Sequence, residues 1–325
     1  MRLLVTGGCG FIGSNFIRFM LNKHEDIQII NLDKLTYCGN KENLKDIEND
    51  KRYSFVKGDI CDKKAVGEVA LGVDGIINFA AESHVDRSIK YPDDFLMTNI
   101  KGVRVLLDAA KDTGVKRFIQ IGSDEVYGSV EEGFSVETDP LKPNSPYSST
   151  KAAGDLLALS YYTTYGLPVI VTRSSNNFGP FQYPEKAVPL FMTNLIQDKK
   201  VPLYGDGENV RDWLFVEDNC AAIDIIFEKG TSGEIYNVGG GTHIANIELT
   251  NRILKMMGKD ESSICTVNDR PGHDRRYALD SSKTESLGWS RKMDFDVALK
   301  YTVDWYKDNN MWWEPLKEKA EIIKW

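Results

Sequence analysis

From the first residue, short apolar runs alternate with stretches whose apolar positions recur every three or four residues, the pattern of strands fed by amphipathic helices. Leu3-Leu4-Val5 reads as a strand, residues 11–21 as a helix and residues 27–32 as the next strand. Further strands are predicted at 53–56, 75–79 and 117–121. The last of these follows a long helix that Pro92 opens, that runs to about Asp112, and that Gly114 stops. A second long helix is predicted from Tyr147 to Tyr165, ending at Gly166, and it leads into a strand at 168–172. Alternation of this kind specifies an α/β fold, with a doubly wound parallel Rossmann-type sheet.

Beyond residue 174 the texture changes. Gly, Pro and Asn thicken in 176–189, in Gly205-Asp206-Gly207 and in Gly239-Gly240-Gly241, which reads as loops around a second, smaller mixed α/β lobe for substrate. Residues 213–216 and 235–238 still look like strands. The expected division is therefore a dinucleotide-binding domain at 1–174, to which the chain returns at about 211–240, and a mainly substrate-binding domain at 175–325.

Thr6-Gly7-Gly8-Cys9-Gly10-Phe11-Ile12-Gly13 lies directly after the first strand and directly before the first helix. Glycines there permit a tight turn and let backbone N–H groups approach a pyrophosphate at the positive end of the helix. Twenty residues past Gly13, at the end of the second strand, stands Asp33. A carboxylate in that place accepts hydrogen bonds from ribose hydroxyls and repels a 2′-phosphate, which favours NAD over NADP, with the adjacent Lys34 pulling the other way. Asp59-Ile60 follows the third strand and is expected either to flank the adenine or to cap a helix.

Tyr147 and Lys151 stand four residues apart on the second long helix, so both project from one face. A neighbouring cation lowers the pKa of a phenol, ordinarily about 10, towards the range where it serves as a base. Ser123-Asp124-Glu125 continues the fifth predicted strand past its carboxyl end, where doubly wound folds place ligands. Ser123 is suited to a sugar hydroxyl. Two adjacent acids in different environments can divide into an acid and a base.

Composition narrows the partners. The chain has 325 residues, 42% hydrophobic and 27% charged, as in an ordinary globular protein, and a net charge of −8 disfavours general affinity for nucleic acid or anionic membrane. No stretch approaches the roughly 20 apolar residues of a membrane span, and Met1-Arg2-Leu3-Leu4-Val5-Thr6 lacks the order of a signal peptide, so a cytoplasmic location is expected. Five scattered cysteines without a C-x-x-C pair argue against a disulfide framework and a zinc site.

The fingerprint, Asp33-Lys34-Leu35-Thr36-Tyr37, residues 80–88 (AAESHVDRS), residues 123–128 (SDEVYG), Tyr147/Lys151, residues 175–180 (SNNFGP), Pro184-Glu185-Lys186, residues 209–213 (NVRDW) and Asp269-Arg270-Pro271 together resemble the extended short-chain dehydrogenase/reductase superfamily. Within it they resemble the dTDP-glucose 4,6-dehydratase family. That resemblance spans residues 3 to about 289 and implies conversion of an NDP-glucose to an NDP-4-keto-6-deoxyglucose with a retained NAD. It implies that Tyr147, assisted by Lys151, takes the 4-hydroxyl proton, that Glu125 removes the C5 proton and that Asp124 protonates the departing 6-hydroxyl.

Ala80 and Ala81 are implied at the cofactor. Ser83, His84, Asn177, Lys186, Asn246 and His273 are implied at the sugar nucleotide, with Arg211 and Arg276 at its diphosphate. Two departures stand out: the family usually has threonine where this chain has Ser123, and histidine where it has Asn219. A homodimer joined by the two long helices is a further implication. The resemblance prefers dTDP, then UDP, as nucleotide. Related readings are an NDP-sugar 4-epimerase or UDP-glucuronate decarboxylase, which share Tyr147/Lys151 but need no acid and base at C5 and C6. A catalytically silent NAD-binding regulator is a reading of another class.

Overall fold

The computed structural model describes residues 1–320. Its strands are β1 Arg2–Thr6, β2 Gln28–Asp33, β3 Tyr53–Lys57, β4 Gly75–Asn78, β5 Arg117–Ile121, β6 Val169–Ser174, β7 Asn176–Phe178, β8 Val201–Tyr204, β9 Val210–Phe215, β10 Ile235–Val238, β11 His243–Ala245 and β12 Ile264–Val267. Seven of them form one sheet in the order β10-β6-β5-β4-β1-β2-β3, and every pairing in it is parallel. β1, β4 and β6 are buried along nearly their whole length, as expected of central strands covered by helices on both faces. One apolar core lies on each face: Phe16, Ile17 and Met20 belong to the first, Val105, Leu106 and Ala158 to the second.

The two long helices differ in regularity. Residues 146–165 form one helix, opened by a capping box between Ser145 and Ser148 and closed by Gly166 at φ 69°. The helix expected over 92–112 instead runs as Pro92–Leu96, a wide π-helical turn over Met97–Gly102, and Val103–Thr113, closed by Gly114 at φ 68°. The cause is Asn99. Its Nδ2 donates to the Glu82 carbonyl and to Thr150 Oγ1, both at 3.0 Å, and its Oδ1 accepts from the Glu82 amide at 3.0 Å.

The strand expected at 213–216 also needs correction. It is β9, longer than expected, and it pairs with β7 and β11 in a separate three-stranded sheet. β10 is the segment of this stretch that joins the seven-stranded sheet, parallel to β6. β8 and β12 form a third, two-stranded sheet. Near the carboxyl terminus, Trp312 Nε1 donates to Asn43 Oδ1 at 2.9 Å and the Tyr183 hydroxyl donates to the Leu316 carbonyl at 3.2 Å, tying the helix Asn310–Lys319 to residues 43 and 183. Among the described residues no helix is long and apolar enough to cross a membrane.

Candidate active site

The carboxyl ends of β1 to β6 converge on one cleft. At its floor is the glycine turn after β1. Gly7 has φ +69°, and a Cβ on it would come within 2.6 Å of the Ala80 nitrogen; a Cβ on Gly13 would come within 2.5 Å of the Gly7 carbonyl oxygen. Only bare backbone fits at both places. The helix Phe11–Lys23 that follows has no side-chain cap and no acid in its first turn, so its leading amides at Phe11, Ile12 and Gly13 face the cleft without a competing side chain. Such an end attracts phosphate.

Asp33, 7% exposed, accepts from the Leu35 amide through Oδ1 at 2.7 Å and from the Cys9 amide through Oδ2 at 2.9 Å. Each oxygen keeps a lone pair for a ribose hydroxyl. Burial raises its pKa against those two bonds. Lys34 does not confront the cleft with a free charge: its Nζ lies 2.8 Å from Asp59 Oδ2. Asp59 holds the Cys61 amide at 2.8 Å, while the next helix is capped by Asp62, so of its two expected roles helix capping is excluded. Ile60, Ala80 and Ala81 line the same cleft.

The four acid–base groups meet at its inner end. Ser123 caps the short turn Asp124–Tyr127, its Oγ accepting from the Glu125 amide at 3.3 Å. Asp124 is 3% exposed, and its Oδ2 has no hydrogen-bond partner among the described residues. Burial drives its pKa well above the ordinary value; the charges of Glu125 and Asp212 add to that, against Arg211. Burial raises Glu125 too, but there three cations, Arg270, Arg211 and Lys186, pull the other way. Both carboxyls are raised, but nearby cations oppose the rise at Glu125 more than at Asp124, so the proton is held more firmly on Asp124.

Tyr147 is raised by burial and by the charge of Glu125, with the Ser123 hydroxyl pulling it down. The cation expected to do so is engaged elsewhere: Lys151 Nζ donates to the Ile121 carbonyl, and burial lowers its pKa against the charge of Asp155.

Of the residues expected at the substrate, Ser83, Asn177 and Lys186 line the cleft. Lys186 Nζ donates to the Ser83 carbonyl at 2.7 Å. His84 caps the helix Val85–Lys90, accepting from the Arg87 amide, and burial beside Lys186, Arg270 and Arg87 lowers its pKa to about 2, so the ring is neutral. Arg211 is 5% exposed; it donates to the Asp274 carbonyl at 2.9 Å and lies 4.4 Å from the Tyr277 ring centroid. His273 is paired with Asp269 at 2.6 Å. Asn246 opens the helix Asn246–Met257, its amide donating to the Asn209 carbonyl at 3.0 Å. Arg276 is directed to the Val130 and Gly133 carbonyls, at 3.1 and 2.9 Å. These last four, and His84, lie outside the cleft lining around the glycine turn.

Three contributors escaped the reading of the sequence. Asn219 Nδ2 donates to Asn177 Oδ1 at 2.8 Å and its Oδ1 accepts from Ser174 Oγ at 2.9 Å, so it orients two cleft residues. Arg270, held 3.5 Å from Asp86, sends its charge toward Glu125. The Tyr37 hydroxyl donates to Glu185 Oε1 at 2.9 Å, joining the two sides of the cleft. Glu185 and Arg270 lay inside recognised segments, but nothing in their spacing reveals a partner over a hundred residues away.

A parallel sheet with a glycine turn, a buried ribose carboxylate and a Tyr/Lys helix defines a dinucleotide-dependent enzyme of the short-chain dehydrogenase/reductase type. The family described as GDP-mannose 4,6 dehydratase matches residues 4–302, and the chain belongs to that family. Its relatives are more particular. A dTDP-glucose 4,6-dehydratase of Streptomyces niveus is 51% identical over 326 residues, covering 99% of this chain and 97% of the relative. The low-salt glycan biosynthesis protein Agl12 of Haloferax volcanii is 49% identical, covering 94% and 98%. The crystal structure of DesIV, a dTDP-glucose 4,6-dehydratase from Streptomyces venezuelae with NAD bound, superposes with a TM-score of 0.96 at 50% identity, covering 97% of this chain and all of that one.

Proposed function

We propose that this chain converts dTDP-glucose to dTDP-4-keto-6-deoxyglucose with a resident NAD. The observation that carries the reading is the differently tuned pair Asp124–Glu125, set in one cleft with Tyr147, Lys151 and the glycine turn. The bare helix end, the close backbone approach at Gly7 and Gly13 and the buried Asp33 fit a dinucleotide. NAD, when bound, supplies the acceptor for the C4 hydride and its return to C6, and the positive charge of its oxidised ring favours the phenolate.

The protein's own groups handle the protons. Tyr147 accepts the proton of the 4-hydroxyl as C4 becomes a ketone, and Ser123, bonded to that phenol, moderates its pKa. The ketone acidifies C5–H. Glu125, faced by Arg270, Arg211 and Lys186, takes that proton, while Asp124, whose pKa burial drives well above the ordinary value, delivers its own to the 6-oxygen so that water leaves. As C6 is reduced, Glu125 gives its proton back to C5, the 4-position stays a ketone, and release of the Tyr147 proton to solvent with uptake of one by Asp124 restores both groups. A 4-epimerase has no work for two acids at this point.

Residues 1–174, with the return through 211–240, serve as the NAD-binding domain, and 175–325 mainly as the sugar-nucleotide domain; His273, Asn246 and Arg276 belong to the second, and Arg211, at the start of the return, serves the sugar nucleotide from the boundary. The enzyme acts in the cytoplasm as a homodimer. To test the reaction, the purified protein is incubated with dTDP-glucose, and separately with UDP-glucose, without added NAD. Loss of one water from dTDP-glucose by mass, with the product absorbing in alkali, is the expected result. Intact substrate, even with NAD supplied, would refute the dehydratase reading.

A further inference from the structure

The groups for oxidation sit on a helix and those for elimination on a turn after β5, yet both must address neighbouring carbons of one sugar ring. One side chain touches the supports of both. Arg173, on β6, is 1% exposed, and its Nε donates to Asp155 Oδ2 at 3.0 Å. Asp155 lies one turn beyond Lys151 on the Pro146–Tyr165 helix and is wholly buried. It also abuts the segment leading into Ser123, for a Cβ on Gly122 would fall 3.0 Å from both its carboxylate oxygens. On its other side the guanidinium lies 4.8 Å from the centroid of the Tyr127 ring, which ends the Asp124–Glu125 turn. The Tyr127 hydroxyl donates to Asn237 Oδ1 at 2.9 Å, and Asn237 Nδ2 donates to the Ser135 carbonyl at 3.1 Å, fixing that ring to β10.

Stability alone does not account for this arrangement. A buried ion pair rarely outperforms apolar side chains of the same volume, and this one leaves Asp155 Oδ1 and Arg173 Nη1 without hydrogen-bond partners among the described residues. What it provides is a fixed negative charge next to Lys151 and a rigid link between two elements.

We propose that Arg173 is a positioning residue that anchors both halves of the chemistry, holding the Tyr147–Lys151 helix through Asp155 and the Asp124–Glu125 turn through Tyr127. The proposal rests on the dehydratase reading for the meaning of those halves. The groups around Lys151 are Asp155 and Tyr147 from its own helix, the Ile121 carbonyl from β5 and, behind Asp155, Arg173 from β6 and Tyr127 from the turn. Burial favours loss of the ammonium proton and Asp155 opposes it. Arg173 in turn opposes the rise that burial imposes on the Asp155 pKa, as does Lys151. Without Asp155 the ammonium is lost at lower pH.

The test uses Asp155→Asn, which preserves shape, with Arg173→Met and Arg173→Lys. Two readouts are taken on the full chain. The first is the pH dependence of Lys151 acetylation by acetic anhydride, measured by peptide mass, which requires no turnover. The second is single-turnover reaction of dTDP-glucose, with C4 oxidation followed by reduced-nicotinamide absorbance and elimination by mass.

In Asp155→Asn, acetylation should reach half its maximum at a pH at least one unit lower, and oxidation should slow tenfold or more with its alkaline limb moved the same way. Arg173→Met should slow both steps, and Arg173→Lys should restore the alkaline limb. An unshifted acetylation profile, or an equal loss of rate at every pH, overturns the proposal. Absence of wild-type dehydration with a shifted acetylation profile would instead count against the dehydratase reading alone. If Arg173→Met fails to fold, Asp155→Asn and Arg173→Lys still decide the matter.

Discussion

Asp124 shows how a single carboxyl can serve chemistry at the expense of stability. Its folded pKa is raised by burial and by Glu125 and Asp212, so the folded state holds a proton that the unfolded chain releases near pH 3.9. The favourable contribution is complete below that value and fades as pH rises. Asp124→Asn, neutral at every pH, should therefore melt higher than the wild type at pH 8 and show a smaller difference at pH 5 by calorimetry. The same variant lacks the proton donor for the 6-hydroxyl, so elimination should slow by about 10²–10⁴-fold while C4 oxidation persists, leaving reduced nicotinamide visible by absorbance. Elimination at the wild-type rate would remove Asp124 from the role of acid. The residue types of this group were plain in the sequence. Their ionisation was not, because the cations that favour charge on Glu125 arrive from positions 186, 211 and 270.

At the scale of elements, the glycine turn and the helix behind it carry the strictest geometry. Gly13→Ala would drive a methyl to 2.5 Å from the Gly7 carbonyl oxygen. The turn has to open, at roughly 1–3 kcal/mol, and because that backbone is what faces phosphate, NAD affinity should fall about tenfold or more. The NAD content of the purified variant, released by acid and measured against wild type, checks this; unchanged content would mean that the diphosphate is held elsewhere. This turn was legible from sequence because its requirement is local, three glycines between a strand and a helix. The wide turn at Met97–Gly102 was not. Helical periodicity continues through it, and within it Asn99 bonds to Glu82 and Thr150, residues 17 and 51 positions away. The strand at 213–216 was legible as a strand but not its sheet: its buried residues suit any sheet, and it pairs with β7 and β11 rather than joining the seven-stranded one.

For the whole molecule, the alternation of strand and helix foretold the parallel sheet, including the late arrival of β10. It could not foretell the surface. Leu96, Met97, Leu156, Tyr162 and Tyr165 are exposed on the two long helical segments, which pack side by side. Apolar side chains gathered on neighbouring helices suit a second copy of the same surface. Light scattering at micromolar concentration should give twice the mass of one chain, and Leu156→Asp should shift it toward a single chain. A wild-type monomer would end the dimer proposal.

The bonds that cross the cleft, Tyr37 to Glu185 and Lys186 to Ser83, have a consequence in the time domain. A ligand seated in a cleft bridged at two points escapes only when both bridges part, so exchange with the surroundings is gated by local opening rather than by the strength of each contact alone. A dinucleotide held beneath such bridges would stay through many catalytic cycles. The rate would then be insensitive to swings in the NADH/NAD ratio of the medium, a fitting property for an enzyme whose reaction consumes no net reducing power.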